Sequence, residues 1–477
     1  MYNIRRHTVN AVKPSRLNQG ATRHGVSFIS TGAMAWPAWS AGRLPVSPEG
    51  FPVVPWVHLV PNLPQLRRKL RAALPCIGLD GIGAGLWEVG WAGMDIIHAY
   101  DIDTELIPAL QALHGREVVE RFNIGPSGNL LNVDVEQMEE VDLIIAGPPC
   151  PPWSSIGLRR GLHDDRTRVF YAVHNMLKSQ CARGMLKAFI VEMVAGMAHD
   201  RASGSSTSLR DTNAYRMWLD ELYRDLPGFR IHCWNMQSSD YVPQHRLRLY
   251  TVGIRAEVLG NGLLIPPTLP SIAPQWRATL SSALHMGLPA LCEHHLKGQT
   301  RVNLMTMKQR LLANRPRGEA LCCCIPVDRD PSMSFGAHAR LDGSVCMLRT
   351  KNDKIWIMLV DCCGTVTLSR CLHPVERLGL QGFRPELAMC LSKNALLRLT
   401  GNACTAPVIT SVFCQLLRPL SSPSVLGLPT VPKPLTFWTF TEETSRYIAK
   451  MMLLNNYRSS VAILEQLVIL EGQSCQP

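Results

Sequence analysis

Between about residue 73 and residue 254, short apolar runs recur at a spacing that leaves little choice of architecture. LPCIGL (74–79), DIIHAY (95–100), NLLNVD (129–134), VDLIIAG (141–147) and LKAFIVE (186–192) are short, continuous runs bounded by turn residues. Runs of this kind predict parallel strands covered on both faces. TELIPALQALH (104–114) and residues 167–183 carry apolar residues at helical spacing between them, and alternation of this kind gives a right-handed, doubly wound α/β sheet. FRIHCWNM (229–236) and RLRLYTVGI (246–254) are joined by a segment too short for a crossover helix, so they predict an antiparallel hairpin.

The flanks differ in composition. Residues 1–72 carry Pro14, Pro37, Pro45, Pro48, Pro52, Pro55, Pro61 and Pro64, a density that resists helices and central strands and predicts an extended arm. The first 75 residues hold ten basic side chains against Glu49 alone, a net +9 of the +12 carried by all 477 residues. Such an arm suits a polyanion, nucleic acid being the commonest, and a solvated leader is the other reading. Trp36, Trp39 and Trp56 within it could stack on bases or dock on the main body.

Residues 255–366 lose the strand rhythm and predict a smaller, irregular, loop-rich lobe. Helical patterns at 374–381, 391–398 and 405–417 return the chain to the first domain (73–254) over residues 367–418. A Pro/Ser-rich linker and one or two amphipathic helices follow in 419–477. Charges or prolines interrupt every apolar stretch before the ~18 residues a membrane span requires. MYNIRRHTVNAVKPSR lacks the apolar core of a secretory signal. The 16 cysteines follow no disulfide framework, and the expected setting is inside a cell, in the nucleus if the source is a eukaryote. Cys322, Cys323 and Cys324, with Cys292, His294, His295, Cys362, Cys363, Cys371 and His373, lack C-x₂-C pairs, so no metal is expected.

Two segments carry chemistry. IGLDGIGAGLWEVG (77–90) follows the first strand and opens a helix; Gly81, Gly83 and Gly85 permit a tight turn and close ligand approach. Asp101 and Asp103 in AYDID end the next strand, where a carboxylate can hold ribose hydroxyls. The G-x-G-x-G spacing suits a ligand with ribose and no pyrophosphate. AGPPCPPWSS (146–155) follows the fourth strand, at the sheet edge where open α/β sheets bind ligands. Four prolines hold Cys150 in a stiff loop as a candidate nucleophile, and Glu192 ends the next strand at the same edge.

At this point PPCPPWS resembles the catalytic Pro-Cys motif of the cytosine-C5 DNA methyltransferases, and further motifs follow in that family's order over about 73–418. LDGIGA resembles the glycine turn that binds S-adenosylmethionine, AYDID the ribose motif, and Asp134 in NVD the residue beside the adenine. VEMV (191–194) is similar to the acid strand and QHRLR (244–248) to the Gln-x-Arg-x-Arg motif. RATLSSALHMGLP (277–289) is similar to the segment after it, HPVERLGLQGF (373–383) to the Arg/Glu helix, and GNACTAPV (401–408) to the closing Gly-Asn motif.

The resemblance implies a class I methyltransferase fold and double-stranded DNA as partner, with S-adenosylmethionine held by Leu79, Asp80, Gly81, Gly83, Asp101, Ile102, Asp134, Pro149, Asn402 and Ala403. It implies Cys150 as the nucleophile on a flipped-out cytosine, Glu192 as the acid at N3, and Arg246 and Arg248 as supports. The loop from Pro149 through Arg168 would be a lid, and the 255–366 lobe would read flanking sequence. Four positions depart from the pattern: Leu79 for a phenylalanine, Ala84 for a glycine, Met193 for an asparagine that helps fix the cysteine loop, and Gly379 for an arginine that supports the recognition lobe. Two other readings stay open: methylation of a structured RNA such as tRNA, and a catalytically silent DNA-binding protein of the same fold.

Overall fold

Strand β1 (Leu70–Pro75) lies near the middle of a seven-stranded sheet of order β3-β2-β1-β4-β5-β7-β6. The other members are β2 (Met94–Asp101), β3 (Asn123–Ile124), β4 (Leu143–Ala146), β5 (Ala188–Val194), β6 (Phe229–Gln237) and β7 (Leu247–Arg255). The computed structural model describes residues 63–421 apart from 65, 151, 154–163, 199–213, 268–292, 315–317, 319–320, 329–338, 342–343 and 351–353. Most of the basic arm with its three tryptophans, RATLSSALHMGLP, most of the expected lid, Cys292 and the helices expected in the tail lie outside the described residues.

Strands β1 to β5 pair in parallel, and β7 joins β5 and β6 antiparallel, as the hairpin pattern predicts. Every residue of β4 and β5 is buried, because helices cover both faces. The helices of seven residues or more among the described residues are α1 (Gly81–Glu88), α2 (Ile107–His114), α3 (Thr167–Ala182), α4 (Ala214–Asp225), α5 (Gly298–Ala313), α6 (Pro374–Leu380), α7 (Lys393–Asn402) and α8 (Ala406–Leu420). Leu70, Ala72 and Leu74 face a core shared with α1, α2, α7 and α8, while Ala73 faces the core of α3 and α4. The strand order turns back between β1 and β4, which places a crevice at the carboxyl ends of the central strands.

Two expected strands are corrected. The first begins at Leu70 and ends at Pro75, earlier than LPCIGL suggests, because Cys76, Gly78 and Asp80 adopt φ of 57°, 54° and 50° and the extended chain stops there. NLLNVD is not a strand. Its Asn129 Oδ1 accepts from the Leu131 N–H at 3.1 Å and caps a short turn at Leu130–Asn132, so the local side-chain bond wins over pairing. The edge strand at that place is Asn123–Ile124, opposite Tyr100 and Asp101.

Basic residues at the end of the arm are tied to the sheet. Asp142, just before β4, accepts from both terminal nitrogens of Arg68 at 2.6 and 2.7 Å, from Lys187 at 2.8 Å and from the Arg71 N–H at 3.0 Å. Burial raises its carboxyl pKa, but these partners outweigh burial and hold it below the usual range. Arg71 also pairs with Glu139 at 2.6 Å.

The smaller lobe has more order than its sequence predicts. Strands β8 (Leu321–Pro326), β9 (Ile355–Val360) and β10 (Val366–Cys371) form an antiparallel sheet of order β10-β9-β8. Leu304 and Met307 of α5 pack on the face carrying Cys323, Trp356 and Met358. Val345, Leu348 and Leu380 pack on the face carrying Cys324 and Ile357. The run Lys393–Leu420 is long and apolar enough to pass for a membrane span, yet it breaks between α7 and α8 and is mostly buried.

Candidate active site

The parallel register of β4 and β5 sets Ala146 beside Val191, so the chain leaves β4 next to Glu192. Gly147 lies close to both sides: a Cβ there would sit 4.0 Å from Glu192 Oε2 and 3.3 Å from Cys404 Sγ. Pro148, Pro149 and Cys150 follow. Cys150 Sγ lies 3.5 Å from the Pro148 carbonyl, and a turn closed by the Trp153 N–H on the Cys150 carbonyl, 3.1 Å, carries Trp153 back into the core. Trp153 meets Phe170 edge to face at 5.3 Å between centroids. It also lies in the same apolar cluster as Met193. At Gly196 a Cβ would come within 2.6 Å of the Trp153 carbonyl oxygen. Trp153, packed on Phe170, thus anchors the cysteine loop, and Met193 lies buried where the family pattern has an asparagine.

Glu192 and Arg248 form the charged floor. Glu192 pairs with Tyr250 across the β5–β7 ladder, and Arg248 lies two residues away on the same face. Both are buried. Arg248 Nε lies 2.9 Å from Glu192 Oε1 without its N–H aimed at the oxygen, so charge contact is made while neither atom has a hydrogen-bond partner among the described residues. Arg248 also donates to the Leu247 carbonyl at 2.8 Å and reaches Met347 Sδ at 3.5 Å. Arg246 donates to the Gly401 carbonyl at 3.0 Å, and burial with Arg248 nearby lowers its pKa to about 10. Burial and the Glu192 carboxylate push the Cys150 thiol up to about 11, against the opposing pull of Arg248 and Arg246.

The second half of the crevice lies at the ends of β1 and β2. Gly78 N–H donates to Asp101 Oδ2 and Asp103 N–H to Asp101 Oδ1, each at 3.0 Å, which ties the glycine turn to the acid loop. Burial raises the Asp101 pKa. Ile102 beside it is 70% exposed. Leu79 and Ala84 are buried in the core. Asp80 has both oxygens engaged within the protein, Oδ1 by the Gly83 N–H at 2.8 Å and Oδ2 with His114 at 2.7 Å. Any part it has in holding a ligand therefore acts through the turn. Asp134 is exposed and accepts from the Glu136 N–H in its own turn. Asn402 ends α7 exposed, and Ala403 is buried behind it.

Cys404 joins the halves. Its carbonyl would lie 2.7 Å from a Cβ on Gly81, and its sulfur flanks Gly147. Burial and Glu192 raise its thiol pKa well above the ordinary value. Cys404, Met347, Trp153 and Gly196 were not singled out in the sequence; GNACTAPV was the available signal for the first. Gly379 faces open space, and the support expected from an arginine there comes from buried Arg377, which donates to the Arg349 carbonyl at 2.7 Å and to Thr400 Oγ1 at 3.1 Å. Among the described residues no three His, Cys, Asp or Glu side chains converge as a metal site.

The profile of the family described as C-5 cytosine-specific DNA methylase matches residues 76–318. The chain belongs to this family. The C-5 cytosine methylase match begins at Cys76, just past β1, and covers the glycine turn, the cysteine loop, Glu192, Arg246 and Arg248. The orphan methyltransferase M.SPRI of Bacillus phage SPR is 29% identical over 195 residues, 40% of this chain and 39% of its own length, so the chain spans about two fifths of that relative. The type II methyltransferase M.NlaX of Neisseria lactamica is 22% identical over 358 residues, 73% of this chain and 96% of its own. The solved Entamoeba histolytica methyltransferase EhMeth superposes with a TM-score of 0.49 at 13% identity, over 74% of this chain and 99% of its own.

Proposed function

We propose that the chain transfers a methyl group from S-adenosylmethionine to C5 of cytosine in duplex DNA, through an adduct of Cys150 with a flipped-out base. One observation carries the reading: a buried carboxylate, Glu192, is ion-paired through Oε1 with Arg248 at 2.9 Å, at the sheet edge where the Cys150 loop leaves β4. A thiol set among a buried carboxylate and two buried guanidinium groups is the arrangement that addition to a polar ring requires.

The β1–β2 crevice fits the methyl donor. Asp101 offers carboxylate oxygens to ribose hydroxyls beside the backbone N–H groups that already bind it, and the exposed Ile102 offers an apolar surface to a purine. Leu79, Pro149, Asn402 and Ala403 would line it. When bound, S-adenosylmethionine supplies an electrophilic methyl group on a sulfonium.

The protein's own groups then act on the base. Inside a duplex C6 is out of reach, so the base must leave the stack. Cys150 thiolate adds to C6, and the electron density this puts on N3 and C5 is met by Glu192, which shares a proton with N3. Arg246 and Arg248 hold positive charge against the ring, with Arg246 fixed by the Gly401 carbonyl. Once C5 has taken the methyl group, loss of the C5 proton to a water molecule and elimination of the Cys150 thiolate from C6 restore the aromatic ring and release the product. The basic arm would add salt-sensitive affinity for phosphate, and the β8–β10 lobe would read flanking bases.

The test is transfer of labelled methyl to duplex DNA and to tRNA in parallel, with Cys150→Ser as control and a 5-fluorocytosine duplex as covalent trap. Label in DNA with a trapped adduct that Cys150→Ser abolishes is expected. Label in tRNA alone would move the substrate to RNA, and tight salt-sensitive DNA binding with no label would make this a binding protein.

A further inference from the structure

A pair of side chains that the proposed reaction does not use holds the turn between β1 and α1. Asp80 sits at φ +50°, a left-handed conformation L residues rarely adopt, two residues after Gly78 in the same region. Its carboxylate is fastened at both ends, by the Gly83 N–H at 2.8 Å and by His114 Nε2 at 2.7 Å. The carboxylate being an acceptor, Nε2 carries the hydrogen. The pair is enclosed: the Asp80 side chain is 1% exposed and that of His114 is 14%. It lies on the backbone of the turn, for a Cβ at Gly83 would meet Asp80 Oδ2 at 2.0 Å and His114 Cε1 at 2.8 Å. His114 is itself set edge to face against Phe122, with centroids 5.8 Å apart.

We propose that His114 and Asp80 are positioning residues for the methyl donor. The inference rests on the reading of the β1–β2 crevice as the donor site. His114 ends α2, the helix that follows the Asp101–Asp103 loop. The crevice is therefore tied at two points, by Gly78 on Asp101 and by His114 on Asp80. Without the second tie a turn holding the non-glycine residues Cys76 and Asp80 left-handed relaxes, and ligand binding must first rebuild it. Neither side chain needs to touch the donor for this effect.

The experiment measures binding of S-adenosylhomocysteine and, separately, of duplex DNA by the full chain. His114→Ala is expected to weaken S-adenosylhomocysteine about tenfold while duplex affinity stays within about twofold, the scale of one charge-assisted hydrogen bond lost at a single site. In turnover the loss should appear in KM for S-adenosylmethionine rather than in kcat. His114→Gln, whose amide N–H can donate to the same oxygen, should restore most of the affinity, and Asp80→Asn should fall less far than Asp80→Ala. Equal S-adenosylhomocysteine affinity in wild type and His114→Ala overturns the inference. Parallel loss of both ligands with no rescue by glutamine also overturns it, since that is what a purely structural pair would give. A wild-type protein that binds duplex but no S-adenosylhomocysteine overturns the proposed function, and this inference with it.

Discussion

Cys150 is a poor nucleophile until its surroundings change. Burial and Glu192 hold its thiol near about 11, so at neutral pH in the free protein the reactive thiolate is scarce. Alkylation of Cys150 by iodoacetamide should therefore rise steadily with pH through the neutral range. Glu192→Gln removes a negative charge that raises the pKa and should speed modification at pH 8 by about three- to tenfold, while Arg248→Met should slow it. Because the chain has 16 cysteines, the rate must be read on the peptide containing Cys150 by mass spectrometry. Equal rates in wild type and Glu192→Gln would remove the electrostatic coupling on which the proposed adduct chemistry depends. Cys150 and Glu192 were legible because each ends an apolar run at the same edge of a predicted sheet. Cys404 was not, since its sulfur reaches Gly147 only because the chain breaks between α7 and α8.

Elements with one dominant period were legible; those decided by local polar bonds or by packing at a distance were not. Strands β4 and β5, helix α3 and the β6–β7 hairpin lie where their apolar patterns place them. NLLNVD has a strand-like apolar pair, but Asn129 satisfies a backbone donor that pairing would otherwise need. In β8, LCCCIP reads in one dimension as a cysteine cluster, and its place in a sheet follows from IWIMLV in β9, some thirty residues later. The contact between α1 and α8 is a similar long-range dependence that can be tested. A Cβ at Gly85 would sit 1.8 Å from Thr410 Oγ1, so Gly85→Ala should cost about 1–3 kcal/mol of stability by overpacking. Thr410→Ala alone should cost about 1 kcal/mol through the lost bond from its hydroxyl to the Ala406 carbonyl. Combined, the two should be less damaging than their sum, because the second change makes room for the first. Strict additivity in denaturant unfolding would show that the helices do not meet at this point.

At the scale of the whole molecule, the stretch 345–349 is one link between the small lobe and the reaction site among the described residues. His245 N–H bonds the Val345 carbonyl, and Val345 N–H bonds the Pro243 carbonyl, each at 2.8 Å. Two residues on, Met347 touches Arg248. Arg377 clamps the far end of this stretch, joining the Arg349 carbonyl to the Leu397 carbonyl and Thr400 Oγ1 of α7. Gly401 closes the same contact, for a Cβ there would fall 2.4 Å from the Arg349 carbonyl carbon, and its own carbonyl holds Arg246. A change in how the lobe sits is thus transmitted to both arginines by the same few backbone groups. Arg377→Met keeps the apolar length and removes the donors, and should cost about 2–4 kcal/mol by leaving buried acceptors unpaired. If the clamp works as drawn, hydrogen exchange should quicken most in the segment around 344–350 and in the last turn of α7, with β1, β4 and β5 little changed. Duplex affinity should fall with it, since the lobe would no longer be held in register with the Cys150 loop. Uniformly faster exchange across both sheets would instead make Arg377 a general core residue and separate the lobe's position from the geometry of the site.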